Sequence, residues 1–315
     1  MKKLLLLSFA FLASMVAFAQ KTPELFLSNH VSTHLYERDM AISPDGKTMY
    51  FTLQLSSGFQ SIAVCTKDKK GQWTKPEIAP FSGMYSDLEP AFSPDGKKLF
   101  FVSNRPLTGT NHKDFDIWYI EKTGEKWSEP VNVGSPVNTS SNEFYPSISK
   151  KGDLYFTATK DSLSVGKEDI YKAEWKNGKY QNITLLDTEV NTKTYEFNAF
   201  VASDESYIIF SSYGRKDDKG KGDLYMSIKD ANGKWKKAVN LSIINTESLD
   251  YCPFVSLDGK TLYFTNEKGA LPKNKLAVAT NYQSFKDLHS SILNGGGNIY
   301  SIDFSIIKEF VEKQN

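Results

Sequence analysis

The sequence predicts an all-β fold: a single β-propeller of five four-stranded blades, with six blades as the alternative. Three observations predict it. The stretch 87–105, DLEPAFSPDGKKLFFVSNR, returns in four variants: 37–52 ERDMAISPDGKTMYFT, 143–157 EFYPSISKKGDLYFT, 196–212 EFNAFVASDESYIIFSS and 250–265 DYCPFVSLDGKTLYFT. Aligned on Ser43, Ser93, Ser149, Ala202 and Ser256, the copies lie roughly 50 to 56 residues apart, a period found in propeller blades. Within each copy the apolar runs are short and bounded by turn residues, as strands are.

Each element of a unit follows in turn. A short apolar strand led by an acid enters Ser-Pro-Asp-Gly or a relative of it, where Pro presets φ and Gly accepts positive φ. A second strand such as Leu99-Phe100-Phe101-Val102 is apolar at consecutive positions, so both of its faces are buried. A third begins Asp116-Ile117-Trp118, Asp169-Ile170-Tyr171 or Asp223-Leu224-Tyr225, and a fourth opens on Trp73, Trp127, Tyr180 or Trp235. Four strands per unit is the propeller count. In the fourth copy Ala202-Ser203-Asp204-Glu205 replaces Ser-Pro-Asp-Gly; that turn is expected to keep its shape without the usual Pro and Gly.

The ends complete the plan. Residues 1–19 carry Lys2 and Lys3, an apolar run and Ala17-Phe18-Ala19, the layout of a secretory signal cleaved near Ala19. The propeller is assigned to 20–307 and a tail to 308–315, with 306–313 forming a terminal helical turn. Residues 23–33 match the fourth-strand segments, whereas the last unit lacks a fourth strand. The N-terminal strand is therefore expected to supply it and to close the ring, removing exposed sheet edges. An insertion, 266–297, holds Lys268, Lys273 and Lys275, a strand at 276–279, a helix at 284–293 and a Gly295-Gly296-Gly297 hinge. No helix follows the glycines to hold a phosphate, so a nucleotide loop is not indicated.

These repeats resemble the TolB-type β-propeller repeat, a WD40-like repeat with a Ser-Pro-Asp-Gly turn. The matching pieces are the acid entering the first strand, the turn, Phe101-Val102-Ser103-Asn104-Arg105, and the Asp-Ile-Tyr-like start of the third strand. The resemblance covers nearly the whole chain after the signal. It implies the fold; for function it leaves binding modules, assembly factors and enzymes open.

Charge is balanced, 38 Lys+Arg against 37 Asp+Glu. A neutral mixed surface argues against nucleic acid and anionic membranes as partners, and no later stretch is apolar enough to span a membrane. Cys65 and Cys252 fall on a third and a first strand and are expected as two buried free thiols rather than a disulfide. A monomer in the periplasm or secreted medium is expected.

HExxH, CxxC, GxSxG and P-loop motifs are missing, and the four His have no ligand spacing, so no catalytic residue, metal ligand or cofactor is assigned. One constellation stands out. Glu37, Asp87, Glu143, Glu196 and Asp250 each lie six residues before an anchor and are expected to ring one mouth of the central channel. They could bind a cation or polar ligand, serve glycoside chemistry as paired carboxylates, or accept N–H bonds from the preceding turns 137–139, 190–192 and 244–246. A residue repeated in every blade is most simply architectural. Arg105 with Asp116, and Arg215 with Asp223, are expected to pair across the base of the second-to-third-strand loop, or else to face a ligand. Those loops (53–60, 103–115, 158–168, 212–222 and 266–297) vary in length and offer Phe59, His112, Phe115, Tyr213, Tyr282 and Phe285 as partner contacts. The leading function is a non-enzymatic module for a protein or glycan of the cell envelope. The alternative is a carbohydrate-active hydrolase or lyase using channel-mouth carboxylates.

Overall fold

The computed structural model describes residues 21–110, 113–124, 126–160, 163–270 and 280–314. The expected signal at 1–19, His112, Lys273, Lys275 and the expected strand at 276–279 lie outside them. After β1 (Glu24–Leu25), blade one is β2 (Tyr36–Ile42), β3 (Thr48–Gln54), β4 (Gln60–Thr66) and β5 (Glu77–Ile78). Blade two is β6 (Asp87–Phe92), β7 (Lys98–Ser103) and β8 (Asp116–Thr123), its outer strand split into β9 (Lys126–Trp127) and β10 (Val131–Asn132). Blade three is β11 (Glu143–Ile148), β12 (Leu154–Ala158), β13 (Asp169–Lys176) and β14 (Lys179–Leu185). Blade four is β15 (Tyr195–Val201), β16 (Tyr207–Tyr213), β17 (Asp223–Ile228) and β18 (Val239–Asn240). In blade five, β19 (Asp250–Val255) and β20 (Thr261–Asn266) precede helix α1 (Tyr282–His289), and β21 (Asn298–Asp303) leads into helix α2 (Phe304–Glu312). No sixth sheet occurs among the described residues.

The all-β, five-blade arrangement is observed, but the expectation that an N-terminal strand closes the ring is corrected. Strand hydrogen bonding runs within five separate sheets, and none is closed or curled onto itself. Of residues 23–33 only Glu24 and Leu25 are strand, antiparallel to β21 at the outer edge of blade five. The physical reason is that neighbouring blades pack through apolar side chains and are joined by isolated main-chain bonds, such as Glu196 N–H to Glu168 O (2.9 Å) and Asp250 N–H to Gly222 O (3.0 Å), rather than by a continuous ladder. Phe100, Val102 and Ile117 of blade two pack with Leu154, Phe156 and Tyr171 of blade three. Ile209 and Leu224 of blade four pack with Leu262 and Phe264 of blade five, and Phe304, Ile307 and Val311 of α2 bury against that same cluster. Cys65 and Cys252 are free and buried.

Two local devices hold the blades in register. The first is an Asn side chain that substitutes for a strand neighbour. Asn138, Asn191 and Asn245 each accept from the N–H and donate to the C=O of Ile117, Ile170 and Leu224 near the start of a third strand. The second is the aberrant turn of blade four. Glu205 takes φ +61° where Gly stands in the other copies, and its N–H still bonds Ala202 O at 2.8 Å, so the turn shape survives. Its carboxylate accepts from Tyr155 Oη (2.5 Å), Lys172 Nζ (2.7 Å) and Lys151 Nζ (2.8 Å) of blade three.

Burial alone would raise the Glu205 carboxyl, but those three donors outweigh it and hold the group at about 2, below its ordinary 4.5. A depressed folded value means stability that is present above the unfolded value and is lost as pH falls from 4.5 toward 2. Glu205→Gln is therefore expected to melt below wild type at pH 7, with the gap shrinking as pH falls through that window. Thermal denaturation at stepped pH measures it; a gap independent of pH would refute the ionic account.

Candidate functional site

The first strand of every blade carries a bulge two residues after its leading acid. The register slips between Arg38/Met40, Leu88/Ala91, Phe144/Ser147, Phe197/Phe200 and Tyr251/Phe254. At each bulge one residue adopts positive φ: Asp39, Glu89, Tyr145, Asn198 and Cys252, at 49° to 57°. None is glycine, and a left-handed non-glycine costs of order 1 kcal/mol or more. The shared conformation sends all five side chains toward the ring axis, where residues of different blades touch.

Arg38 sits in this cluster and bonds Asp39 through Nε (2.9 Å) and Glu89 through Nη2 (3.2 Å), its guanidinium 5.1 Å from the Tyr251 ring centroid. Glu89 also accepts from Asn198 Nδ2 (3.0 Å) and from the Tyr145 N–H (2.7 Å). Tyr145 Oη donates to Pro253 O at 3.0 Å, and Cys252 Sγ donates to Asn198 Oδ1 at 3.5 Å. Five blades thus meet in one buried polar plug. Burial and the nearby Asp39 push the Glu89 carboxyl up; Arg38 and the two N–H donors oppose this.

Cavities lie on both sides of the plug, and Glu89 lines both. Toward the Ser-Pro-Asp-Gly turns is a void of about 60 Å³ walled by apolar residues such as Met40, Phe92 and Phe254. Toward the long loops is a cavity of about 340 Å³. Its aromatic wall is Phe115, Phe144, Phe197 and Tyr251, and its polar groups include Arg38, Glu89 and Glu168. Phe144, Phe197 and Tyr251 stand one residue after the leading acid of blades three, four and five, and Phe115 and Glu168 immediately precede third strands. Glu168 is half-buried, with no side-chain hydrogen bond or ion pair among the described residues, and burial raises its carboxyl.

The five leading acids do not line this cavity. Each is buried and turned into its own blade. Glu37, Glu143, Glu196 and Asp250 accept from the N–H and Oγ1 of Thr33, Thr139, Thr192 and Thr246. Asp87 accepts from Ser82 Oγ at 2.8 Å. Desolvation lifts Glu37 and Asp250 to about 7 against those hydrogen bonds. The bulge explains the displacement: it carries the chain's approach to the axis two residues past the acid.

The arginine pairing is also corrected. Arg105 Nη2 bonds Asp87 (2.8 Å) and Phe81 O (2.9 Å), not Asp116; Arg215 Nη2 bonds Glu196 (2.9 Å), not Asp223. Each guanidinium folds back over its own blade's rings, 4.9 Å from Phe101 and 4.6 Å from Tyr225, and reaches the buried first-strand acid. Asp116 is served instead by Lys113 Nζ and Asn132 Nδ2, and Asp223 by Lys219 N and Asn240 Nδ2. Of the expected contact residues, Phe115 enters the cavity wall, while Phe59, Tyr213, Tyr282 and Phe285 stand exposed on the loop face. The helix expected at 284–293 is α1, Tyr282–His289, with no buried residue. Among the described residues no His/Cys/Asp/Glu group has the arrangement to hold a metal ion, and no helix is long and apolar enough to cross a membrane.

No protein-family model matches the chain, and no curated protein matches it. Solved structures do. The catalytic domain of Coprinopsis cinerea GH62 α-L-arabinofuranosidase is similar at TM-score 0.53 and 10 % identity, over 90 % of this chain and 96 % of that one. The BT0996 RGII complex is similar at TM-score 0.51 and 10 % identity, over 90 % of this chain and 91 % of that one. TolB from Acinetobacter baumannii is similar at TM-score 0.48 and 14 % identity over 85 % of this chain, which spans about half, 54 %, of its length. Identities this low speak for shared fold alone.

Proposed function

We propose that the chain is a carbohydrate-active protein that seats a saccharide in the axial cavity and cleaves a glycosidic bond there. The observation carrying this reading is two carboxyl groups in unlike settings within one aromatic-walled cavity. Glu89 is tied to Arg38 and Asn198, whereas Glu168 keeps a half-buried carboxyl without a side-chain partner among the described residues. Sugar hydrolysis uses a carboxyl pair whose environments separate their roles. Burial raises both carboxyls. Glu168, with no charge or donor opposing it among the described residues, suits the proton donor, while Arg38 beside Glu89 favours that group's ionised form. The rings of Phe115, Phe144, Phe197 and Tyr251 offer apolar area for a sugar face. The glycoside hydrolase and BT0996 structures lend the architecture as support; the chemistry rests on the cavity. Export, to the periplasm or beyond, belongs to the same proposal, since a polysaccharide would be met there.

A second reading, a non-enzymatic module for an envelope protein or glycan, is favoured by the exposed Tyr213, Tyr282 and Phe285 on the loop face. Reducing-end release from a panel of polysaccharides separates the two. Release that falls at least about 100-fold in Glu168→Gln, at unchanged melting temperature, is the expected result. Binding without release would favour the module; neither binding nor release would sink the carbohydrate reading.

A further inference from the structure

A third cavity, about 520 Å³, lies between blades two and three on the Ser-Pro-Asp-Gly face. Its character comes from one departure in the repeat. In blades one, two and five the turn serine donates to the turn aspartate: Ser43 to Asp45 (2.6 Å), Ser93 to Asp95 (2.7 Å), Ser256 to Asp258 (2.6 Å). In blade three the turn reads Ser149-Lys150-Lys151-Gly152. The aspartate has become Lys151, which reaches across to Glu205. The Ser149 hydroxyl, on a residue 1 % exposed, is left without a hydrogen-bond partner, and a buried unmade hydrogen bond is costly. Ser149 and Lys150 both line the cavity.

Blade three supplies a ring beside this turn, and blade two, across the cavity, supplies a cation. Trp175 is 37 % exposed and packs edge-on against Tyr180 at 4.8 Å. The half-buried Lys98 ammonium lies 5.2 Å from the Trp175 centroid and 4.4 Å from that of Tyr119, with no carboxylate in ion-pair range among the described residues. Lys97 adds a third ammonium to the lining. Against them stand two carboxylates: Asp95, taken up by Ser93 Oγ and the Lys97 N–H, and Glu121. Cations therefore outnumber acids three to two, and the best-buried cation is unneutralised.

We propose that this cavity binds an acidic sugar, a uronate whose ring face stacks on Trp175 and whose carboxylate is held by Lys98 and Lys150. An anion neutralises Lys98 where water reaches it poorly, and an indole face takes the apolar side of a ring. The site is separate from the axial cavity and stands whether or not that cavity hydrolyses anything.

The test is heteronuclear NMR titration of the full mature chain with a β-1,4-linked glucuronic acid trimer, its neutral glucose counterpart, and inorganic phosphate. Saturable shifts around Trp175 with a Kd of about 1 mM or tighter are expected for the uronate alone. Trp175→Ala and Lys98→Gln should each weaken binding at least about tenfold, and the exposed Lys150→Gln, which disturbs no packing, should weaken it measurably. Glu168→Gln should leave it unchanged, so failure here and failure of the axial site are told apart. No saturation by the uronate, equal binding of the neutral trimer, equal competition by phosphate, or wild-type affinity in Lys98→Gln and Lys150→Gln would each overturn the proposal.

Discussion

Arg38→Met is expected to lower stability by about 3–5 kcal/mol at pH 8. Methionine roughly keeps the volume of the stem and removes the cation. Asp39 and Glu89, both buried, then face each other at the axis with Asn198 Nδ2 and the Tyr145 N–H as the remaining donors to Glu89. Removing one partner of a buried ion pair costs more than the pair contributes, because the other charge stays desolvated. The pH dependence follows with a definite sign. Burial already raises Glu89, and losing Arg38 raises it further. A carboxyl raised in the folded state binds protons more readily folded than unfolded, so the variant regains stability as pH falls. Urea denaturation from pH 8 to pH 5 should show Arg38→Met recovering more than wild type does. A variant as stable as wild type at pH 8 would show that the plug is not an ionic unit.

Asn191→Ala is expected to cost about 2–4 kcal/mol, from buried backbone groups left unpaired at about 1–3 kcal/mol each. Asn191 is wholly buried, accepts from Ile170 N–H (2.8 Å) and donates to Ile170 O (2.9 Å) and Leu186 O (3.1 Å); Ile170 O also has the Leu186 N–H, so two of the three lose their partner. Asn191→Asp is the sharper control. It keeps an acceptor for the N–H but sets a carboxylate against two carbonyls, so it should be at least as damaging at pH 7 and should recover in acid. A melting temperature within a degree or two of wild type for the alanine variant would mean that water replaces the amide without loss.

The blades were legible because their signals are local. Ser-Pro-Asp-Gly fixes a turn through φ preferences, and the apolar runs on either side need only bury themselves. The recurrent Val-Asn-Thr segments were visible too, as was their service to the leading acids, though not the amide's role as a stand-in strand. What could not be read was the axis. Its residues are Asp39, Glu89, Tyr145, Asn198 and Cys252, five side chains with no common chemistry, and no glycine marks their positive φ. Without knowing of the bulge, counting from the acid places the wrong residue at the channel. The arginines were missed for a related reason: sequence order suggested a partner on the next strand, whereas the guanidinium turns back over its own sheet. Two signals were present and went unused. Aromatic residues follow the acid in three of five copies, and Lys151 replaces an aspartate in only one turn.

The bulged position has a consequence for how such a protein can change over time. What places each axial side chain is its own blade's main chain, not the identity of that side chain. Five unlike residues already tolerate the same backbone pose. Mutation can therefore change the chemistry at the centre without moving the backbone that presents it, but the axial residues bond one another across blades, so a change in one blade has to be answered in its neighbours. The architecture separates the pose of the hub from its chemistry: each blade's main chain sets the first, and the five axial side chains settle the second together.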